Sequence, residues 1–256
     1  MKGAARSGSV PGVPDDDDVR ARLRDAVGAY RLSLAARDLV SGASVTYRPD
    51  GRYITASVAK IAVLTVLLVR AQAAGRELTE RERALAHEMI TVSGNDAAHE
   101  LWRANGRDTA MAAVHADLGL TETVTTPESW GLTRTSAADQ VRLVSWLAGS
   151  AEPPVLDRGR RAYVLDLMAE VVAGQRWGIG SAARPGDRVA LKNGWLDYSG
   201  DAGRWTVNTV GRITGGGHDL VMAVLSNDHA DLDEGITVVE RAAVIGARAL
   251  RETAGA

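Results

Sequence analysis

The sequence predicts an α/β protein of the α+β kind: one antiparallel sheet flanked by terminal helices and interrupted by an inserted all-helical domain. Three observations predict it. Strand-like alternation occurs near both ends of the chain, over residues 31–39 and 44–48 and again over 188–192, 204–214 and 218–226. Between these blocks lie about a hundred residues of helical spacing. Helical patterns also open and close the chain, over 19–30 and 233–251, where they are placed to cover the sheet. The expected division is a flexible tail (1–17), an α/β domain (18–60 plus 188–256) and a helical domain (61–187), with the active site at their interface.

Each element has a local reason. Val19, Leu23, Val27 and Tyr30 form one stripe of the first helix. Ser41-Gly42-Ala43 turns the first strand into the second, which Pro49-Asp50-Gly51 ends. A helix over 57–74 stops near Gly75. Thr79, with Glu82 three residues on, makes a capping box for 79–92. Short helices over 96–104 and 108–118 follow, then a loop over 119–134 containing Pro127. Thr135 or Ser136 caps a helix reaching 147; residues 149–154 break the chain before a helix over 157–172. In the returning sheet, 194–203 reads as a turn region and Gly215-Gly216-Gly217 as a tight turn.

Composition narrows the function. A formal charge of −2 with no basic block excludes a nucleic-acid partner. The chain has no cysteine, so disulfides and thiol catalysis are excluded. The apolar run 61–69 is half the length of a membrane span. Residues 1–19 lack the apolar core of a signal peptide, which leaves localisation open between secretion and the cytoplasm. The run Asp15 to Asp18 reads as a solvated lead into a helix N-terminus. No His-x-His occurs, His87-Glu88 lacks a following zinc-ligand histidine, and 227–235 lacks calcium-loop spacing. No metal and no cofactor are expected, and a monomer is expected.

Lysine is rare: Lys2, Lys60 and Lys192 among 30 basic residues. Ser57 stands three residues before Lys60, one helical turn away on the same face. Two further motifs are Ser93-Gly94-Asn95, at a helix junction, and Lys192-Asn193-Gly194, at the end of the first returning strand. A serine hydroxyl is a poor nucleophile without a nearby base. Lys60 can be that base if desolvation and a second ammonium, from Lys192, lower its pKa. Ser93 can relay a proton to a leaving nitrogen, because a hydroxyl both donates and accepts. Asn95 can hold a substrate amide or orient Lys60. The plainer readings are Ser57 as an N-cap and Ser93 and Asn95 as junction residues.

The three motifs in this order make a signature that resembles the penicillin-recognising serine hydrolases, most like the class A β-lactamases and their D-alanyl-D-alanine peptidase relatives. The stretches 90–101 and 156–172 resemble that family's context, and the likeness runs from about Val27 to the final helix. The resemblance implies a β-lactamase/transpeptidase-like fold and a Ser57 acyl-enzyme formed on an amide or ester of a β-lactam or D-Ala-peptide-like substrate. It places oxyanion-hole N–H groups at Ser57 and Trp195, just past Gly194. Arg204 stands where many class A enzymes keep an arginine for the substrate carboxylate, the alternative being a surface charge. Lys192 with Arg204 favours a small-molecule or peptide substrate bearing an anionic group. Trp130, Trp177 and Trp195 lie near loops expected to border the cleft.

Three departures qualify the implied activity. The segment between Lys60 and Ser93 is shorter than in class A enzymes. Asn193 replaces the usual Thr or Ser. The loop carrying the deacylating glutamate is truncated, so its best-placed acid, Glu128, is either a water-activating base or a surface carboxylate. Without such a base the acyl group persists or passes to another nucleophile. The alternatives are therefore an acyltransferase or peptidase acting on a peptide metabolite, or a β-lactam-binding sensor domain without efficient turnover.

Overall fold

The computed structural model describes residues 16–150, 155–198 and 204–253. The expected tail up to residue 15, and parts of the turns expected at 149–154 and 194–203, lie outside these residues. Helix α1 (Asp16–Val27) leads into strands β1 (Arg31–Asp38) and β2 (Ser44–Tyr47), and a two-residue strand β3 (Tyr53–Ile54) follows. Next come helices α2 (Lys60–Ala73), α3 (Glu80–Thr91), α4 (Asn95–Ala104) and α5 (Arg107–Asp117). Strand β4 (Arg134–Thr135) precedes helices α6 (Ala137–Leu147) and α7 (Arg158–Ala169). Strands β5 (Arg188–Tyr198), β6 (Arg204–Gly215) and β7 (His218–His229) and helix α8 (Leu232–Thr253) close the chain.

The five long strands form one antiparallel sheet in the order β2-β1-β7-β6-β5, the sheet the sequence predicts. Its core is double. Along β7, Leu220, Met222 and Val224 join the cluster formed with α1 and α8, while Val221, Ala223 and Leu225 join the one formed with α2 and α6. Side chains that alternate faces with period two let one strand serve both cores. Each fully buried aliphatic side chain contributes about 1.5–3 kcal/mol. The strand order leaves β2 and β5 as the sheet edges.

Capping follows the sequence closely. Thr79 accepts from the Glu82 N–H and the Glu82 carboxylate accepts from the Thr79 N–H (2.8 Å). Ser136, and not Thr135, caps α6, because the Thr135 hydroxyl is engaged by Gln140 and Thr123. Helix α2 is buried nearly all round, with Ile61, Leu64 and Leu67 fully enclosed. The stretch Ala56–Ala73 is apolar and long enough by composition to cross a membrane, yet 72% of it is buried inside the protein, the environment of a core helix.

Two expectations are corrected, and one pairing is new. Helix α2 starts at Lys60; Ser57 lies before it in a single 3₁₀ turn, Ala56–Ala59, and is not its N-cap. Strand β5 does not end at Lys-Asn-Gly but runs to Tyr198, paired with β6 throughout. The pairing of β3 with β4 was not foreseen, since two-residue strands leave no periodic trace.

Candidate active site

The Ser57 turn is held from two sides. The Thr55 N–H donates to the Thr133 carbonyl (2.8 Å), and the buried Asn208 of β6 donates its side-chain amide to the Ile54 carbonyl (2.8 Å). Ala56 takes a positive φ of 45° to enter the turn, a costly conformation for a residue with a Cβ. On the third side lies β5. A Cβ on Gly194 would stand 2.5 Å from the Thr55 carbonyl oxygen and 2.9 Å from the Ser57 nitrogen. Only glycine lets the sheet edge pack directly on the turn.

Ser93, at the α3–α4 junction, also has a positive φ, 62°. Its carbonyl and its hydroxyl both face Lys60: the Lys60 Nζ donates to Ser93 O (2.6 Å), to Ser93 Oγ (3.2 Å) and to Asn95 Oδ1 (2.9 Å). Lys192 reaches the same hydroxyl from β5, with Nζ donating to Ser93 Oγ (3.0 Å) and to the Asn193 carbonyl (3.1 Å). Two ammonium groups thus converge on one oxygen. Both lysines are fully buried, and burial pushes each amine down to about 7; for Lys192 the neighbouring Lys60 adds to the effect. The Lys60 Nζ also sits 4.8 Å from the centre of the Trp130 ring.

Among the described residues, Ser57 Oγ makes no hydrogen bond, so its hydroxyl is free to meet an incoming group. It opens onto a cleft of about 280 Å³ whose lining includes Ser57, Ser93, Asn95, Trp130 and Trp195. Six of the residues singled out from the sequence are therefore brought together with Lys60 and Lys192 beneath them: Ser57, Ser93, Asn95, Trp130, Gly194 and Trp195.

Three are not. Asn193 turns its amide away, donating to the Gln175 carbonyl (2.9 Å) and the Trp177 carbonyl (3.1 Å). Arg204 pairs in register with Tyr198, four residues along β5 from Gly194, which is about 13 Å at strand rise. Its guanidinium donates to the Asp228 carbonyl, away from the cleft. Glu128 is exposed and does not line the cleft, although its neighbours Ser129 and Trp130 do. The anion-favouring pair expected of Lys192 with Arg204 is therefore not assembled at the cleft, which neither residue lines.

His99 was missed by the sequence reading. It lines the cleft, donates from Nδ1 to the Asn95 carbonyl (2.9 Å) and meets Trp130 edge-on at 5.5 Å. Its place four residues beyond Asn95, on the same helical face, was the available signal. Among the described residues no group of three or more His, Asp or Glu is arranged to hold a metal ion.

An antiparallel sheet whose edge strand carries Lys-Asn-Gly beside a Ser-x-x-Lys turn and a Ser-x-Asn junction has the architecture of the penicillin-recognising serine hydrolases. The chain belongs to the β-lactamase enzyme family, which it matches over residues 82–249, a stretch that takes in Ser93 and Lys192 and begins after Ser57. No curated protein sequence matches it. Among solved structures it is similar to PBP-A (TM-score 0.79, 18% identity, covering 91% of this chain and 96% of that one). It is also similar to a β-lactamase from Sphaerobacter thermophilus (TM-score 0.77, 21% identity, 94% and 99%) and one from Burkholderia vietnamiensis (TM-score 0.76, 21% identity, 91% and 95%). At these identities the likeness is one of fold.

Proposed function

We propose that the protein is a serine hydrolase that forms an acyl-enzyme through Ser57 on an amide or ester carbonyl. The observation that carries this reading is the convergence of Lys60 and Lys192 on Ser93 Oγ, 3.2 and 3.0 Å away, beside the Ser57 turn. In the proposed step Ser57 Oγ bonds to the carbonyl carbon and its proton passes to neutral Lys60. Ser93 hands its proton to the leaving group as the carbon–heteroatom bond breaks and takes in return the proton held by Lys60, 3.2 Å away, while Lys192 holds the Ser93 oxygen. The N–H groups of Ser57 and Trp195 receive the developing oxyanion. An amine with a pKa near 7 suits a general base at neutral pH. Family membership supports the same chemistry, and a mutant of the similar protein PBP-A was solved as an acyl-enzyme complex with penicillin-G.

Intact-mass spectrometry after exposure to penicillin G and to an activated aryl ester tests this. An adduct on Ser57 that disappears in Ser57→Ala is expected; no adduct from either reagent, or full activity in Ser57→Ala, overturns it. The exposure of Glu128 favours a second reading of turnover, in which the acyl group leaves slowly or passes to an amine. That reading expects an adduct persisting over minutes, whereas rapid loss of the adduct in water overturns it.

A further inference from the structure

We propose that the cleft selects its acyl donor by aromatic contact and not by charge, taking a flat, uncharged acyl group with no carboxylate beside the scissile bond. This rests on the acyl-enzyme reading above and names its substrate class.

The cations and donors that the motifs offered to an anion are each otherwise engaged. The Arg204 guanidinium bonds the Asp228 carbonyl, and Arg204 is not among the residues that line the cleft. The Asn193 amide spends both N–H bonds on the Gln175 and Trp177 carbonyls, and the buried side chain is not part of the cleft lining, so it offers an incoming carboxylate no donor. Lys192 is fully enclosed, with Ser93 Oγ and the Asn193 carbonyl already on its amine. Among the described residues, none that lines the cleft is Lys, Arg, Asp or Glu. An incoming carboxylate would lose its water and gain no charged partner, which is unfavourable.

What the walls do offer is aromatic surface. Trp195 is half-buried at the rim, directly past Gly194, and is backed by Trp177 at 5.8 Å between ring centres and 58° between planes. Trp130 and His99, themselves in edge contact, also line the cleft. Trp177 stays in place because its own carbonyl is tied to Asn193. The side chain that replaced a hydroxyl in the third motif thus fixes the turn that backs the aromatic wall. A pre-positioned ring pair binds a flat ligand without first being ordered.

Two esters test the selection: phenylacetyl-thioglycolate, whose leaving group ends in a carboxylate, and its methyl ester. In each, Ser57 Oγ bonds to the thioester carbonyl carbon, the C–S bond breaks and the hydroxyl proton leaves with the thiol. The neutral ester is expected to acylate Ser57 at least as fast as the acid. The preference for phenylacetyl over acetyl donors is expected to fall about tenfold in Trp195→Ala, and less in Trp195→Phe, which keeps a ring. Acylation at least about tenfold faster by the acid, or an unchanged preference in Trp195→Ala, overturns the proposal. Binding to Ser57→Ala, followed by tryptophan fluorescence, separates this from the chemistry. Phenylacetamide is expected to bind saturably and phenylacetate no more tightly; tighter phenylacetate overturns the selection. No adduct from either ester, with phenylacetamide still bound by Ser57→Ala, overturns the acyl-enzyme reading and leaves the aromatic cleft standing.

Discussion

Replacing Lys60 by methionine separates the electrostatic state of the site from its chemistry. Burial pushes the Lys60 amine down to about 7, whereas a lysine in an unfolded chain titrates at about 10.4. Between these values the unfolded chain holds more protons than the folded one. Stability therefore rises with pH across that window and is flat below about 7 and above about 10.4. The slope within it is about 1.4 kcal/mol per pH unit for one lysine. From about pH 6 to about pH 9 the unfavourable contribution of Lys60 shrinks by about 2–3 kcal/mol. Methionine fills a similar volume and does not titrate. Lys60→Met should accordingly gain most over the native protein at low pH, and its advantage should narrow by about 2–3 kcal/mol between those two conditions.

Two other effects accompany the substitution. Ser93 O and Asn95 Oδ1 lose their donor, a cost of about 1–3 kcal/mol that does not depend on pH and cancels in the comparison. Lys192 loses the neighbour that helped to depress it, so its own pKa rises. That flattens the variant's pH dependence further, and the narrowing is at least the single-lysine figure. Urea unfolding of both proteins at a series of pH values, with equal m-values as the control, measures the gap. A gap independent of pH would refute a depressed Lys60 and with it the neutral amine on which acylation at pH 7 depends. In the native protein the acylation rate should rise with pH through about 7 and then level off, since the deprotonated amine is the base.

Gly194→Ala should cost about 1–3 kcal/mol in stability and, by displacing the Ser57 turn, about a hundredfold in acylation. Its Cβ meets backbone atoms of Thr55, Ser57 and Val58 at 2.5–2.9 Å, none of which can swing aside; unfolding curves and adduct kinetics check it. Glu128→Gln should leave the rate of adduct loss within about twofold, because the carboxylate faces solvent. A fall of about a hundredfold would make Glu128 the water-activating base after all.

What the sequence revealed of the site, and what it hid, divides along a physical line. Ser57 with Lys60, Ser93 with Asn95, and Lys192 with Gly194 lie in short segments, so their spacing alone brings each pair near one point. Arg204 was left open between a carboxylate partner and a surface charge, and neither the register of β5 with β6 nor the face Asn193 takes was legible. Residues 193–198 lack clean alternation because one side of the edge strand borders a cleft, so a turn was read where β5 continues. The longer strand carries Arg204 away from the site and leaves Asn193 bonded to the Gln175–Trp177 turn. Trp130 was legible as a loop residue bordering the cleft, whereas His99 was obscured because it meets the site through tertiary packing against Trp130. Composition, in contrast, carried more than it first suggests. Twenty-seven of the thirty basic residues are arginine, yet lysine stands at both positions that converge on Ser93. Guanidinium keeps its proton under all ordinary conditions, while a buried lysine can release one near neutrality. A chain that uses arginine almost everywhere else and encloses lysine at these two positions has selected for a removable proton.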